Sequence, residues 1–131
     1  YGFDCSLYNA ARILELWSRR DALFSEELNR LAPNLPTTGE VKVPCPEEKK
    51  LEIVSAITEA FGDYESSTID GVRVRFTEDG EQQGWYLARK SNTEPILVMR
   101  VEAVNEEKLH EMLSLIDSRV SSIINIEKLL A

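Results

Sequence analysis

The residues after position 40 predict an α+β fold, with an antiparallel sheet of four to five strands and two helices packed on one of its faces. Two observations carry that class. Apolar residues alternate with polar ones through 72–76, 84–89 and 96–103, the period of half-buried strands. Helical spacing of apolar residues appears on either side of this strand-rich block, at 51–61 and 109–124. A short helical segment precedes the whole, so the sequence reads as residues 1–38, helical tail and linker, and 39–131, the α+β domain.

Taken in order, Ser6 reads as an N-cap, and Leu7, Ala10, Ala11, Leu14 and Trp17 repeat at helical spacing through residue 19. A second short helix is predicted over 25–31, started by Ser25 with Glu26 and Glu27 in its first turn. Pro33, Pro36 and Gly39 then break the pattern. Two helices this short bury little on each other, so they read as part of a neighbouring unit, and the start at Tyr1-Gly2-Phe3 reads as that of a fragment.

Val41 and Val43 mark a short strand. Pro44-Cys45-Pro46-Glu47-Glu48 opens a helix with Leu51, Val54, Ile57, Thr58 and Phe61 on one face, ending at Gly62. A brief strand is predicted over 66–69. Past Asp70-Gly71, Val72, Val74 and Phe76 alternate with Arg73 and Arg75, giving a strand with a basic outer face. Asp79-Gly80 marks a hairpin turn. Trp85 and Leu87 share a face of the next strand, and Leu97, Met99 and Val101 point inward from the one after it. Asn105 caps a last helix with apolar positions at Leu109, Met112, Leu113, Ile116, Val120, Ile123 and Ile124.

The chain of 131 residues carries a formal net charge of −8, which argues against nucleic acid or an anionic membrane as a bulk partner. No segment reaches the roughly 20 apolar residues of a membrane span, and no signal-peptide pattern appears. Five of its fifteen basic residues, Arg73, Arg75, Arg89, Lys90 and Arg100, nonetheless fall close together. They read either as local capture of a small anion or as solvated strand-face charge. Cys5 and Cys45, forty residues apart, with one histidine in the chain, give no metal-ligand spacing. Lone cysteines suit a reducing cytoplasm.

Between the last two apolar strands lies Arg89-Lys90-Ser91-Asn92-Thr93-Glu94-Pro95. Arginine offers a planar fork of donors, the hydroxyls offer donors, and turn backbone adds N–H groups, the set that holds a phosphate. Ser91 and Thr93 also suit a purely local role as turn hydroxyls. Lys90 points away from Arg89 if the strand continues. Glu94 suits a hydrogen bond or an ion pair with an arginine, and Pro95 restricts the residues before it. Arg100 suits an ion pair with Glu94 or Glu102, Arg73 and Arg75 an outer sheet face. Trp85 and Tyr86 read as core and sheet-surface residues, and His110 has no partner suggesting catalysis.

The run Asp70-Gly71-Val72-Arg73, then Gly84-Trp85-Tyr86-Leu87-Ala88-Arg89-Lys90-Ser91-Asn92-Thr93-Glu94-Pro95, then Met99-Arg100-Val101-Glu102-Ala103 closely resembles the C-terminal domain of the α-D-phosphohexomutases. That is the phosphomannomutase/phosphoglucomutase superfamily. Residues 38–46 resemble the family's lead into that domain, and residues 8–31 the tail of its preceding sugar-binding domain. The resemblance implies one of four domains around a cleft, in which a phosphoserine exchanges phosphate with a hexose phosphate through a bisphosphorylated intermediate. The C-terminal loop grips the phosphate that is not transferred, a role that falls on Arg89, Ser91, Asn92 and Thr93, with Lys90 and Arg100 as secondary candidates.

The family's phosphorylatable serine segment, its Mg²⁺-binding Asp-Gly-Asp run and its sugar-recognition motif have no counterpart here. The resemblance therefore implies no catalytic or metal residue in this chain, no activity of the chain alone, and Mg²⁺ only in a full-length enzyme. Its implied partners are a phosphosugar and the preceding domains, in the cytoplasm, without nucleic acid or membrane. The other reading is a free-standing α+β binding module whose Arg73 and Arg75 face meets an acidic or nucleic-acid partner.

Overall fold

A computed structural model describes residues 5–21, 23–31 and 34–131. Tyr1, Gly2 and Phe3, read as the start of a fragment, and Pro33, read as a helix breaker, lie outside the described residues. The chain divides into two compact units, Tyr1–Asn34 and Leu35–Ala131.

The first unit holds helices α1 (Ser6–Trp17) and α2 (Phe24–Leu31). Cys5, not Ser6, is the N-cap of α1, and it makes no side-chain capping bond. Helix α2 starts one residue before Ser25, at Phe24. Trp17 meets Phe24 edge-on at 4.9 Å, and Glu27 pairs with Arg30 at 2.7 Å and with Arg20 at 3.4 Å. No residue of α1 is buried. Two short helices leave most of their apolar surface in water, as their lengths predict.

The second unit is built on a sheet in the order β1-β5-β4-β3-β2, with every neighbouring pair antiparallel. Its strands are β1 (Val41–Pro44), β2 (Ser66–Ser67), β3 (Val72–Glu78), β4 (Glu81–Lys90) and β5 (Ile96–Ala103). A single 3₁₀ turn at Glu47–Lys49 leads into α3 (Lys50–Ala60), and α4 (Glu106–Val120) follows β5. Residues 35–38, expected with the first segment, extend along β5 instead: Ala103 N–H donates to Pro36 O and Thr38 N–H to Val101 O.

Alternation decides which face is covered. Val72, Val74, Phe76, Tyr86, Ala88, Leu97, Met99 and Val101 point to the helices and are buried with Ile57, Phe61, Met112 and Ile116. Trp85 and Leu87 do share a face, but it is the open one; Tyr86 carries the aromatic core instead, its ring 5.7 Å from that of Phe61. Burial pushes the Tyr86 phenol well above its ordinary pKa, and its hydroxyl lies 3.5 Å from Met99 Sδ.

Two expectations about helices are corrected. Leu51, placed on the buried face of α3, is 69% exposed, whereas Lys50 beside it is 1% exposed. The last helix stops at Val120 rather than continuing through Ile123 and Ile124. Ser121 Oγ bonds back to Asp117 O, the chain turns, and α5 (Glu127–Leu130) brings Leu129, with Ile126 just before it, into the core. The Asn105 cap is as predicted, its Oδ1 accepting from Lys108 N–H at 2.8 Å.

Gly71 has φ +78°, and a β-carbon there would stand 2.3 Å from Ala88 O and 2.6 Å from Arg89 Cα. Gly71→Ala is expected to cost more than about 2 kcal/mol in urea unfolding, adding left-handed strain to overpacking. Arg119 of α4 donates to Ala60 O at 2.7 Å and grips both oxygens of Asp63, and that hydrogen bonding holds the Asp63 carboxyl below its ordinary range. A lowered folded pKa gives stability that is present above the unfolded value of about 3.9 and lost as pH falls through the folded one. Thermal melts from pH 6 to 3 should therefore fall less steeply for Asp63→Asn than for the wild type.

Candidate anion-binding loop

β4 reaches Lys90 and β5 begins at Ile96, in a register that opposes Arg89 to Val98 and Lys90 to Leu97. Ser91 N–H donates to Ile96 O at 3.1 Å and closes the connection. Inside it, Ser91 Oγ accepts the N–H groups of Thr93, at 3.3 Å, and Glu94, at 3.1 Å. This is the local turn role foreseen for Ser91, and it leaves the hydroxyl hydrogen free to donate outward. The Asn92 N–H and the side chains of Asn92 and Thr93 have no hydrogen-bond partner among the described residues, and both residues are exposed.

Arg89 projects from the open face at the end of β4, with its side chain 37% exposed. Glu40 lies 3.9 Å and Asp70 3.7 Å from its guanidinium, close enough to attract it but without a hydrogen bond. Its five N–H donors are thus held near one place without being used. Gly71 lacks the β-carbon that would collide with Arg89 Cα and Cβ, so the backbone can pass close to this strand end.

The secondary candidates are not equivalent. Lys90 is exposed on the opposite side of β4 from Arg89, with no ion pair among the described residues. Arg100 lies on the same open face as Arg89, but it donates to Glu102 Oε2 at 3.0 Å and stacks 5.6 Å from the Trp85 ring. The Glu102 pairing foreseen for Arg100 is present. Glu94, expected to pair with an arginine, pairs with Lys42 at 2.8 Å, because β1 is the strand that borders this end of β5. Arg73 and Arg75 occupy the outer face as predicted: Arg73 stacks 4.6 Å from Trp85, and Arg75 pairs with Glu65 at 3.1 Å. Among the described residues the His110 ring bonds only to Glu106 O.

One residue was missed altogether. Lys50 Nζ donates to Ser91 O at 2.7 Å, to Glu94 O at 2.6 Å and to the Glu47 carboxylate. Its position in the sequence, a lysine within Glu47-Glu48-Lys49-Lys50, reads as helix-surface charge. The loop's other anchor is Pro95 O, which accepts from Cys45 N–H at 2.9 Å. Among the described residues, no cluster of three or more His, Cys, Asp or Glu side chains could hold a metal ion. The donors at the loop are a guanidinium, hydroxyls, an amide and a backbone N–H, groups that suit an anion.

The sequence model of the phosphoglucomutase/phosphomannomutase C-terminal domain matches residues 40–118, the span that includes the sheet, the loop and most of α4. The chain belongs to this family. A phosphomannomutase/phosphoglucomutase from Pseudomonas aeruginosa is 34% identical over 94% of this chain and 26% of its own length. A phosphoglucomutase from Neisseria meningitidis serogroup B is 40% identical over 86% of the chain and 24% of its own length. The crystal structure of a phosphoglucomutase/phosphomannomutase family protein from Burkholderia thailandensis superposes with a TM-score of 0.71 at 30% identity, covering 94% of this chain and 25% of that one. The chain thus spans about a quarter of the length of the relatives it matches. Among the described residues, no helix is long and apolar enough to cross a membrane.

The Ser91 turn gives a direct check on loop geometry. Ser91→Ala should speed amide hydrogen exchange at Thr93 and Glu94 by about fivefold, in line with the ~1 kcal/mol of a hydrogen bond. Exchange at Tyr86 and Met99 should stay as in the wild type.

Proposed function

We propose that this chain is the phosphate-anchoring C-terminal domain of a hexose phosphomutase. In this reading Arg89, Ser91, Asn92 and Thr93 grip the phosphate of a hexose phosphate that is not being transferred. The observation that carries it is the unspent guanidinium of Arg89, whose donors make no hydrogen bond, beside a loop whose Asn92 N–H and Asn92 and Thr93 side chains are also unpartnered. Family membership supports the same reading.

The geometry suits the task. An arginine fork and hydroxyl donors recognise phosphate oxygens and are indifferent to which sugar carbon bears them. An anchor of that kind serves an enzyme that must accept its intermediate in two orientations. Holding the remote phosphate also lets its binding energy position the reacting one. The loop is exposed and contacts a ligand from one side, so the rest of the enclosure must come from preceding domains. Phosphoryl transfer itself, with any Mg²⁺ it uses, is assigned to those domains, and this chain alone is inactive. Two unpaired cysteines agree with a cytoplasmic setting.

The second reading, a module using Arg73 and Arg75, loses ground because Arg73 is stacked on Trp85 and Arg75 is paired with Glu65. Titration of the chain with mannose 1-phosphate, glucose 1,6-bisphosphate and inorganic phosphate, followed by amide NMR, tests the choice. Shifts should concentrate at 89–93. Arg89→Ala should weaken binding at least tenfold and Arg89→Lys less, whereas Arg73→Ala should leave it unchanged. Shifts confined to Arg73 and Arg75, with Ser91 and Thr93 silent, would sink the anchor.

A further inference from the structure

We infer that Lys50 is a positioning residue of the phosphate loop, an inference that rests on the phosphate-anchor reading above. Its side chain is 1% exposed, so it does not touch a ligand at the surface. What it does touch is the loop's own backbone at both ends, Ser91 O and Glu94 O, at 2.7 and 2.6 Å.

The reason lies in the polarity of a peptide loop. Every residue of the loop brings a carbonyl as well as an N–H, and carbonyl oxygens facing a phosphate repel it. A loop that binds an anion must therefore turn its carbonyls away. Here the Lys50 ammonium draws two of them inward, Ser91 O and Glu94 O, the latter shared with Ile96 N–H at 2.8 Å, and Cys45 N–H takes a third, Pro95 O, at 2.9 Å. Asn92 O and Thr93 O have no hydrogen-bond partner among the described residues. The Asn92 N–H and the Asn92 and Thr93 side chains are left without partners on the exposed side.

Lysine fits this position for a specific reason. An ammonium offers three donors from one atom, and Nζ uses them on Ser91 O, Glu94 O and the Glu47 carboxylate. Those three acceptors belong to the 3₁₀ turn that leads into α3 and to the two ends of the loop. One atom thus sets the distance between the loop and the helix beneath it. Glu47 is 73% exposed, so the ion pair is anchored on one side by solvent and on the other by the loop.

The test compares the wild type with Lys50→Met, Lys50→Arg and Arg89→Ala in the full chain, titrated with glucose 6-phosphate at constant ionic strength and followed by amide NMR. Lys50→Met should keep the wild-type shifts of β3, β4 and β5 residues such as Val74, Tyr86 and Met99. It should move those of 91–94 and weaken glucose 6-phosphate binding at least tenfold. Lys50→Arg, which keeps charge and donors, should recover part of that loss. A residue that merely stabilised the domain would instead shift the sheet and leave the affinity of the folded fraction unchanged. Wild-type affinity in a folded Lys50→Met overturns the positioning role alone. No binding in the wild type, or none lost in Arg89→Ala, overturns the anchor reading and this inference with it. If neither Lys50 variant folds, Lys50 is a stability residue and the positioning role is overturned.

Discussion

A charged group sealed under a surface loop is costly unless every donor it carries is used, and the Lys50 ammonium is in that position. Its bonds to Ser91 O, Glu94 O and Glu47 tie the 3₁₀ turn and the start of α3, which are contiguous, to the β4–β5 connection, which is remote in sequence. Removing one partner of a buried ion typically costs about 3–5 kcal/mol, so such a contact leaves few alternative loop conformations open.

The sheet divides its chemistry between two faces. On the covered face, Tyr86, Phe61, Phe76 and Tyr64 form a connected set of ring contacts, while α4 and α5 close the remainder with aliphatic side chains. On the open face, Trp85 lies within reach of two guanidinium groups, Arg73 at 4.6 Å and Arg100 at 5.6 Å, and its indole N–H bonds to Glu102. Those contacts hold Arg73 by stacking and Arg100 by stacking and one ion pair, with Arg100 Nε left unpartnered among the described residues. Arg89, at the end of β4, is the one left near carboxylates without a hydrogen bond to them. Local charge density alone does not distinguish these arginines, but their commitments do.

Most of the fold was legible in sequence because it rests on short-range signals. Period-two alternation placed β3, β4 and β5, Asp79-Gly80 placed the hairpin with φ of 52° and 83°, and Asn105 placed the start of α4. The errors fell where a long-range contact outweighed the local pattern. Leu51 looked like a core residue, yet it is exposed, while Lys50 beside it is buried and bonded to two carbonyls more than forty residues away. Helical spacing ran on through Ile123 and Ile124, but packing of Ile126 and Leu129 into the core required the helix to end.

What the sequence determined by itself was the kind of chemistry: a loop with an arginine fork, two hydroxyls, an amide and a proline brace, framed by two strands in a family that its motifs identify. Residue types and their spacing carry that information because donors and strand periodicity are local properties. Tertiary structure alone decided which cations are free, which face Trp85 occupies and where the loop's carbonyls point. Those depend on strand register and on which side chains from distant segments meet, and no spacing along one chain segment encodes them.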